Sequence, residues 1–305
     1  MRLATALAAC AIAGLVLAPA PWVVTDFALS LTLSCLMYVG LAVSWAMFSG
    51  ATNYLSLATA AFFGIGAYVT AWGHGTLPYA VTVPLGGLAA ALFAAAIGAA
   101  VLHLRGAYFA VITFGLGELV RHAITYGEKT WARTVGRVIS DPPTTEGVYL
   151  VVLALALAAV AAAAAVRTSR FGLALAGIGS DEERARTLGV NTRLVKTGGF
   201  ALAAFFAGAL GAAVAVRWTY IEPASVFNPF IGFQTVLIAM VGGAHTLAGP
   251  IASAVVFSVL TELLRLQFPY AYLIVLGALL ILLVLYLPGG LASLLERWKW
   301  RQRHA

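Results

Sequence analysis

Apolar residues run along this chain in stretches of about twenty, the length at which a helix rising 1.5 Å per residue crosses a bilayer core. Short polar breaks separate the stretches, and one break is much longer than the rest. The stretches fall at 3–24, 27–49, 54–72, 80–102, 106–126, 148–166, 197–217, 231–247, 249–266 and 270–288. Each reads as a membrane-crossing helix, which makes an all-α polytopic protein of about ten transmembrane helices in a single membrane domain, residues 1–305. Gly64 and Gly66 interrupt the third stretch, while Gly242-Gly243 and Gly249-Pro250 punctuate the eighth and ninth. Such breaks are tolerated in a membrane where backbone is buried in protein or lines a cavity, so the last few stretches read as full spans or as half-helices.

The long break, 167–196, carries Arg167, Arg170, Arg184, Arg186, Arg193 and Lys196, with Asp181, Glu182 and Glu183 among them. Each charge placed at a bilayer centre costs about 2.5–3.5 kcal/mol on insertion scales, so this segment faces water, and its basic excess assigns it to the cytoplasm. Ser180 and Glu183 stand at capping-box spacing, the acidic residues suit the positive end of a helix dipole, and Gly189 supplies a left-handed stop. Residues 181–188 are therefore expected to form a helix of about two turns, with Ala185 and Leu188 on one apolar face. A helix so short does not hold itself in water alone. It is either packed on the bundle as an ordinary loop helix or cradled by a partner protein.

Composition agrees with the pattern. Of 305 residues, 62% are hydrophobic and 10% charged, and mean hydropathy is +0.97. A soluble domain carries about 25% charged residues. The formal net charge of +7 does not indicate nucleic-acid binding, because the basic residues gather at span edges and in the tail at Arg297, Lys299, Arg301 and Arg303, where topology and anionic lipid headgroups account for them. Both termini are expected in the cytoplasm of a multi-pass protein of a bacterial inner membrane. Arg2, Arg105, the 167–196 segment and the tail then share one side, and Arg121, Lys129, Arg133, Arg137, Arg217 and Arg265 fall toward the other. A lipoprotein box at Leu7-Ala8-Ala9-Cys10 and a signal-peptide site near Ala18-Pro19-Ala20 are alternatives to a retained first span. Cys10 and Cys35 lie in apolar runs and imply neither a disulfide framework nor a metal site.

Few side chains in the spans offer chemistry. Glu118, Arg121 and His122 stand at i, i+3 and i+4, and Glu262 and Arg265 at i, i+3; both sets read as local ion pairs or as outer-face contacts to a partner. Gln234 is a lone amide suited to an interhelical hydrogen bond or a ligand contact. His245 sits in a glycine break. Trp22, Trp72, Trp131, Trp218, Trp298 and Trp300 fit aromatic belts. No phosphate-binding loop, zinc-protease motif or nucleophile elbow occurs, and no metal ligand set or cofactor is expected in this chain.

Several blocks together resemble the permeases of branched-chain amino-acid ABC importers, specifically the second of the two permease types. Thr168-Ser169-Arg170-Phe171-Gly172-Leu173-Ala174-Leu175 with Asp181-Glu182 and Thr187-Leu188-Gly189-Val190-Asn191 resembles the family's coupling loop. Ser56-Leu57 and Ala60-Ala61-Phe62-Phe63-Gly64-Ile65-Gly66-Ala67-Tyr68 resemble its third-span signature. Leu104-Arg105-Gly106-Ala107-Tyr108-Phe109-Ala110 with Thr113, then Gly242-Gly243, Thr246 and Gly249-Pro250, then Pro288-Gly289-Gly290-Leu291, follow in the family's order over about 250 residues. The chain departs from the family at Ala58-Thr59, where Gly-His is usual, at Ala244-His245, where Leu-Gly is usual, and at Gly179. Its loop 127–147 also lacks the usual glycine-rich stretch. These departures bear on the cargo more than on the transport role.

The resemblance implies a ten-span importer bundle that pairs with a second, homologous permease. Two cytoplasmic ABC ATPases, carrying ATP and Mg, bind that core, and a periplasmic solute-binding protein delivers the cargo. It implies that Ser180, Asp181, Glu182, Glu183, Arg184, Ala185, Leu188 and Gly189 couple the chain to an ATPase. Gly64, Gly66, Tyr68, Thr113, Gln234, Gly242, Gly243, His245 and Gly249 are the candidate substrate-path residues. The expected cargo is a small amphipathic solute, branched-chain or other apolar amino acids first. An ion-coupled secondary transporter working without an ATPase is the alternative, and it would need charges near the bilayer midplane. A membrane enzyme is the third reading, with no paired nucleophile and base to support it.

Overall fold

The computed structural model describes residues 3–140, 142–268, 271, 274, 275, 277 and 278. In chain order its elements are α1 Leu3–Leu17, α2 Ala20–Val23, α3 Asp26–Trp45 with a π-helical extension Ala46–Gly50, α4 Thr59–Gly73, α5 Tyr79–Val101, α6 Ala107–Gly127 with a second π-helical extension Glu128–Ala132, β1 Arg137–Val138, α7 Thr145–Thr168, α8 Arg170–Ser180, α9 Glu182–Thr187, α10 Thr192–Ala215, β2 Tyr220–Ile221, α11 Pro223–Val226, α12 Pro229–Gly242 and α13 Ala248–Gln267. Among the described residues, eight helical stretches are long and apolar enough to cross a membrane. The all-α polytopic class follows directly from the apolar stretches. The expected tenth span, 270–288, lies almost entirely outside the described residues, as do Pro288-Gly289-Gly290-Leu291 and the basic tail.

The third span is shorter than its apolar run. Helix α4 begins only at Thr59 and has 15 residues, and the preceding segment is not helical. Side chains of α3, of α6 and of the segment itself satisfy its polar groups. Trp45 Nε1 donates to the Ser56 carbonyl, Leu57 N–H donates to Thr113 Oγ1, and Ala58 N–H donates to Ser56 Oγ. Irregular backbone inside a bundle persists only with partners of this kind. The 167–196 break also shrinks, because α7 runs on through Thr168 and α10 starts at Thr192. Arg167 and Lys196 are therefore residues of span ends and not of a loop.

The spans define two ends. Asn53, Leu102, Arg105, the α8–α9 pair and the α12–α13 turn meet at one end, joined by side-chain bonds described below. The other end gathers the α4–α5 turn, residues 128–140 and residues 217–222. There β1 and β2 pair antiparallel, Arg137 opposite Ile221 and Val138 opposite Tyr220. Buried Glu128 ties this end together, accepting from Gly136 N–H at 2.8 Å and Tyr68 Oη at 3.3 Å, with Arg137 Nε 3.7 Å away. Trp22, Trp72 and Trp131 are exposed, as an aromatic belt requires. Trp298 and Trp300 lie outside the described residues.

Packing is densest within two groups of helices. The first is α4, α5 and α10, the second α3, α7, α12 and α13. Small residues create the first group. A Cβ on Gly66 of α4 would overlap the Gly208 carbonyl of α10, and a Cβ on Gly211 of α10 would overlap the Phe63 carbonyl of α4. A Cβ on Gly208 would collide with Ala90 of α5. Helix association in lipid depends on such close contact, because lipid chains are as apolar as leucine and give no hydrophobic drive. Gly66→Val should destabilise the protein by about 1–3 kcal/mol through overpacking. Gly115→Ala, where an added Cβ meets nothing within 4 Å, should be neutral or gain up to about 1 kcal/mol. Thermal unfolding of the two variants in one detergent checks the contrast.

Candidate functional site

The α8–α9 pair closes one end of the bundle, and its sequence explains its shape. Ser169 caps α8, accepting from Gly172 N–H at 3.1 Å. A Cβ on Gly172 would overlap the Val166 carbonyl, so glycine lets α8 fold back tightly on α7. Leu175 and Ile178 turn inward. At the far end of α8, Asn53 Nδ2 donates to the Gly179 carbonyl at 3.0 Å, and a Cβ on Gly179 would overlap Ala51. The departure from the family pattern at Gly179 therefore sits at a close backbone contact between α8 and the segment after α3.

Helix α9 differs by one residue from the expected capping. Asp181, in extended backbone, is the cap; its Oδ1 accepts from Glu183 N–H at 3.0 Å and Arg184 N–H at 3.1 Å. Ser180 still belongs to α8, where its hydroxyl donates back to the Ala176 carbonyl. Gly189 is left-handed at φ 86°. Its N–H donates to Arg186 and the Val190 N–H to Ala185, the paired bonds of a Schellman stop.

The expected apolar face does not form. Ala185 is buried against the bundle, whereas Leu188 is 78% exposed. Leu188 is the residue at which the helix ends, so the i, i+3 relation no longer fixes its direction. Ser180, Asp181, Glu183, Arg184 and Gly189 are exposed with it, and Glu182 and Ala185 point inward.

Glu182 holds α9 in place. Its Oε1 lies 2.8 Å from Lys196 Nζ and 3.0 Å from Arg186 Nη2. Its Oε2 lies 3.1 Å from Arg105 Nη2 and accepts from Tyr54 Oη at 2.9 Å. Lys196 is as deeply placed, at 4% side-chain exposure against 5% for Glu182. Its ammonium spends all three donors, on Glu182, on Tyr54 Oη at 3.0 Å and on the Leu102 carbonyl at 2.6 Å. Burial would by itself raise the Glu182 pKa. The hydrogen bonds from Lys196 and Tyr54 and the charges of Lys196 and Arg105 outweigh it and hold the carboxyl at about 2, against an ordinary 4.5. The same carboxylate raises the Arg105 pKa. Neither Tyr54 nor the burial of Lys196 was anticipated. A lone lysine at the mouth of an apolar span was the available signal, because such a charge requires a partner.

A second anchor lies at Arg167, whose guanidinium donates to the carbonyls of His245, Thr246 and Ala244 at 2.9, 3.0 and 3.2 Å. The α12–α13 turn can offer three carbonyls in succession because Gly243 is left-handed at φ 92° and Gly242 and Gly249 cross with no room for a Cβ.

The candidate path residues occupy varied places. Gly64 and Gly66 lie at close helix crossings, Gly64 against Phe227. Tyr68 is buried with its hydroxyl on Glu128. Thr113 is buried, accepting from Leu57 N–H and donating to Phe109. Gln234 joins three helices, accepting from Tyr38 Oη at 2.8 Å and donating to Thr261 at 3.4 Å. The His245 side chain is exposed at the α8–α9 end. Arg121 pairs with Glu118 at 2.5 Å and His122 stands 3.8 Å from it, while Glu262 and Arg265 form no ion pair with each other among the described residues. No group of three His, Cys, Asp or Glu side chains among the described residues could hold a metal ion.

Two outcomes follow from the Glu182 cluster. Glu182→Gln leaves Lys196 buried without its counter-charge and should destabilise the fold by about 3–5 kcal/mol, read by thermal unfolding. Because the folded pKa is depressed, the carboxylate's stabilisation is complete above pH 4.5 and is lost as pH falls toward about 2. The melting temperature of the native chain should therefore drop across that window, and that of Glu182→Gln should drop less.

Residues 27–284 match the family described as branched-chain amino acid transport system, permease component. Among curated proteins, the chain is 27% identical to the high-affinity branched-chain amino acid transport system permease protein LivM of Escherichia coli, over 92% of this chain and 73% of LivM. It is 28% identical to the LivM of Salmonella typhimurium, over 89% of this chain and 71% of that protein. No solved structure matches. With the family match covering most of the chain and a bundle of apolar spans to match it, this protein belongs to the permease component family of the branched-chain amino acid transport systems.

Proposed function

We propose that this chain is one membrane-spanning subunit of an ABC importer, sited in a bacterial inner membrane with the α8–α9 end in the cytoplasm. The observation that carries the proposal is α9 itself. One face of the helix is held by a fully satisfied buried ion pair, while Glu183, Arg184 and Leu188 project from the end of the bundle with no partner among the described residues. A surface leucine at 78% exposure on a rigidly held stub is suited to enter a cleft in another protein. On this reading Ser180, Asp181, Glu183, Arg184, Leu188 and Gly189 form the contact surface for an ABC ATPase, and Glu182 and Ala185 fix the surface to the bundle. ATP and Mg belong to two such ATPase subunits. A second homologous permease completes the membrane core, and a solute-binding protein delivers cargo to the opposite end, where β1 and β2 bind the loops together.

Branched-chain or other apolar amino acids are the favoured cargo, in keeping with the branched-chain amino acid transport system to which the LivM relatives belong. Most charges found in the described part of the bundle gather at its two ends, which suits a translocator driven from outside the membrane better than an ion-coupled carrier working alone.

The orientation has a direct test. Thr187→Cys on exposed α9 should react with a membrane-impermeant maleimide only when the cytoplasmic face of the membrane is open to the reagent; reaction from the outside of intact cells would refute the topology. Docking has another. Leu188→Asp should reduce co-purification of the ATPase at least about tenfold, the loss typical of a central anchor residue, while the variant melts like the native chain. Undiminished capture would overturn the assignment of α9.

A further inference from the structure

Glu182 touches cations on three different elements, and they differ in what they can transmit. Arg186 belongs to α9 itself, and Arg105 lies in the α5–α6 connection with 56% of its side chain exposed. Lys196 alone lies on a long span, in the second turn of α10, and it is buried. We propose that Lys196 is the positioning residue through which a displacement of α9 reaches the α4–α5–α10 group. The proposal rests on the permease reading and deepens it.

Three features make the connection stiff. The ammonium is tied by all three donors, to α9 through Glu182, to the segment before α4 through Tyr54, and to the end of α5 through Leu102. A buried charge so held does not swing free, because losing one acceptor leaves a desolvated donor unpaired. Beyond Lys196, α10 meets α4 and α5 backbone against backbone at Gly66, Gly208 and Gly211. These helices move as one body, since contacts with no side chain between them leave nothing to absorb a shift.

The opposite end of the α8–α9 segment holds the other group. Arg167, at the end of α7, grips three carbonyls of the α12–α13 turn. Helix α8 folds back on α7 at Gly172. The segment therefore bridges two groups of helices, gripping one through Lys196 and joined to the other beside Arg167. A motor that pulls on α9 shears one group past the other, which is a known form of domain movement.

The test uses the full importer in proteoliposomes, with radiolabelled leucine as cargo. The readout is leucine imported per ATP hydrolysed, alongside co-purification of the ATPase. Lys196→Met leaves Glu182 paired with Arg105, Arg186 and Tyr54, so α9 stays docked on the bundle but loses its buried ionic tie to the body of α10, keeping only the Arg186–Thr192 bond at the first residue of that helix. The ratio should fall about tenfold, within the range of site-to-site coupling energies. A purely structural role would reduce the amount of assembled complex and leave the ratio alone. Arg193→Gln, exposed in the first turn of α10 and bonded only within the α4–α5–α10 group through the Ala99 carbonyl, should leave the ratio unchanged.

Tyr54→Phe keeps the ring and deletes the hydroxyl shared by Glu182 and Lys196. It should lower the ratio by a smaller factor, and it decides the matter if Lys196→Met does not assemble. An unchanged ratio in Lys196→Met, or in Tyr54→Phe when that variant alone assembles, overturns the inference. A wild-type chain that captures no ATPase removes the permease reading and this inference with it; co-purification tells the two failures apart.

Discussion

A carboxylate and an ammonium can stay out of water at the edge of a membrane only if every lone pair and every N–H is met. Glu182 and Lys196 satisfy that condition through Tyr54, Arg105, Arg186 and the Leu102 carbonyl. The pair is weak ground for claims of net stability, because desolvation offsets much of the attraction. Its value is geometric. An ion pair with a complete set of partners has one low-energy arrangement, and that arrangement fixes a six-residue helix that could not persist alone.

The rest of the end depends on the same requirement applied to backbone. The turn between α12 and α13 breaks helical bonding, and the Arg167 guanidinium takes up the carbonyls that the break frees. The segment before α4 is likewise unwound, and Trp45, Ser56 and Thr113 meet its polar groups. In each case a polar side chain from another helix, Arg167 for the turn and Trp45 and Thr113 for the segment, helps irregular backbone survive within the bundle. The opposite end repeats the principle with Glu128 as acceptor for the Gly136 N–H and the Tyr68 hydroxyl. Both ends are therefore cross-linked by buried carboxylates, while the spans between them pack through small residues and large apolar side chains.

Glycine placement gives the spans their grouping. Where Gly66, Gly208 and Gly211 remove side chains, α4 and α10 touch through backbone. The two helix groups that result are gripped at one end by the segment that carries α9. A bundle arranged this way can change shape by sliding of groups, while the interior of each group stays intact.

Much of this was legible in the chain. Runs of about twenty apolar residues can do little in water, and in lipid they can only be helices, so the all-α polytopic class emerges from length and hydropathy, whereas the late start of α4 at Thr59 and the early start of α10 at Thr192 do not. The Gly189 stop and the short helix before it were legible as well, because capping uses near neighbours. Shared-side placement of Arg105 with the long polar segment followed from charge bias. What needed the fold was every pairing between distant positions. Tyr54 and Glu182 are 128 residues apart, and nothing local marks either as the other's partner. Capping-box spacing pointed to Ser180 as the cap of α9, and the role falls to Asp181 because α8 extends through Ser180. Lys196 reads in sequence as one more solvated cation, but α10 begins at Thr192 and carries it inward. A linear pattern determines which residues must avoid water; which polar groups then satisfy one another depends on helix crossings that only the assembled bundle defines.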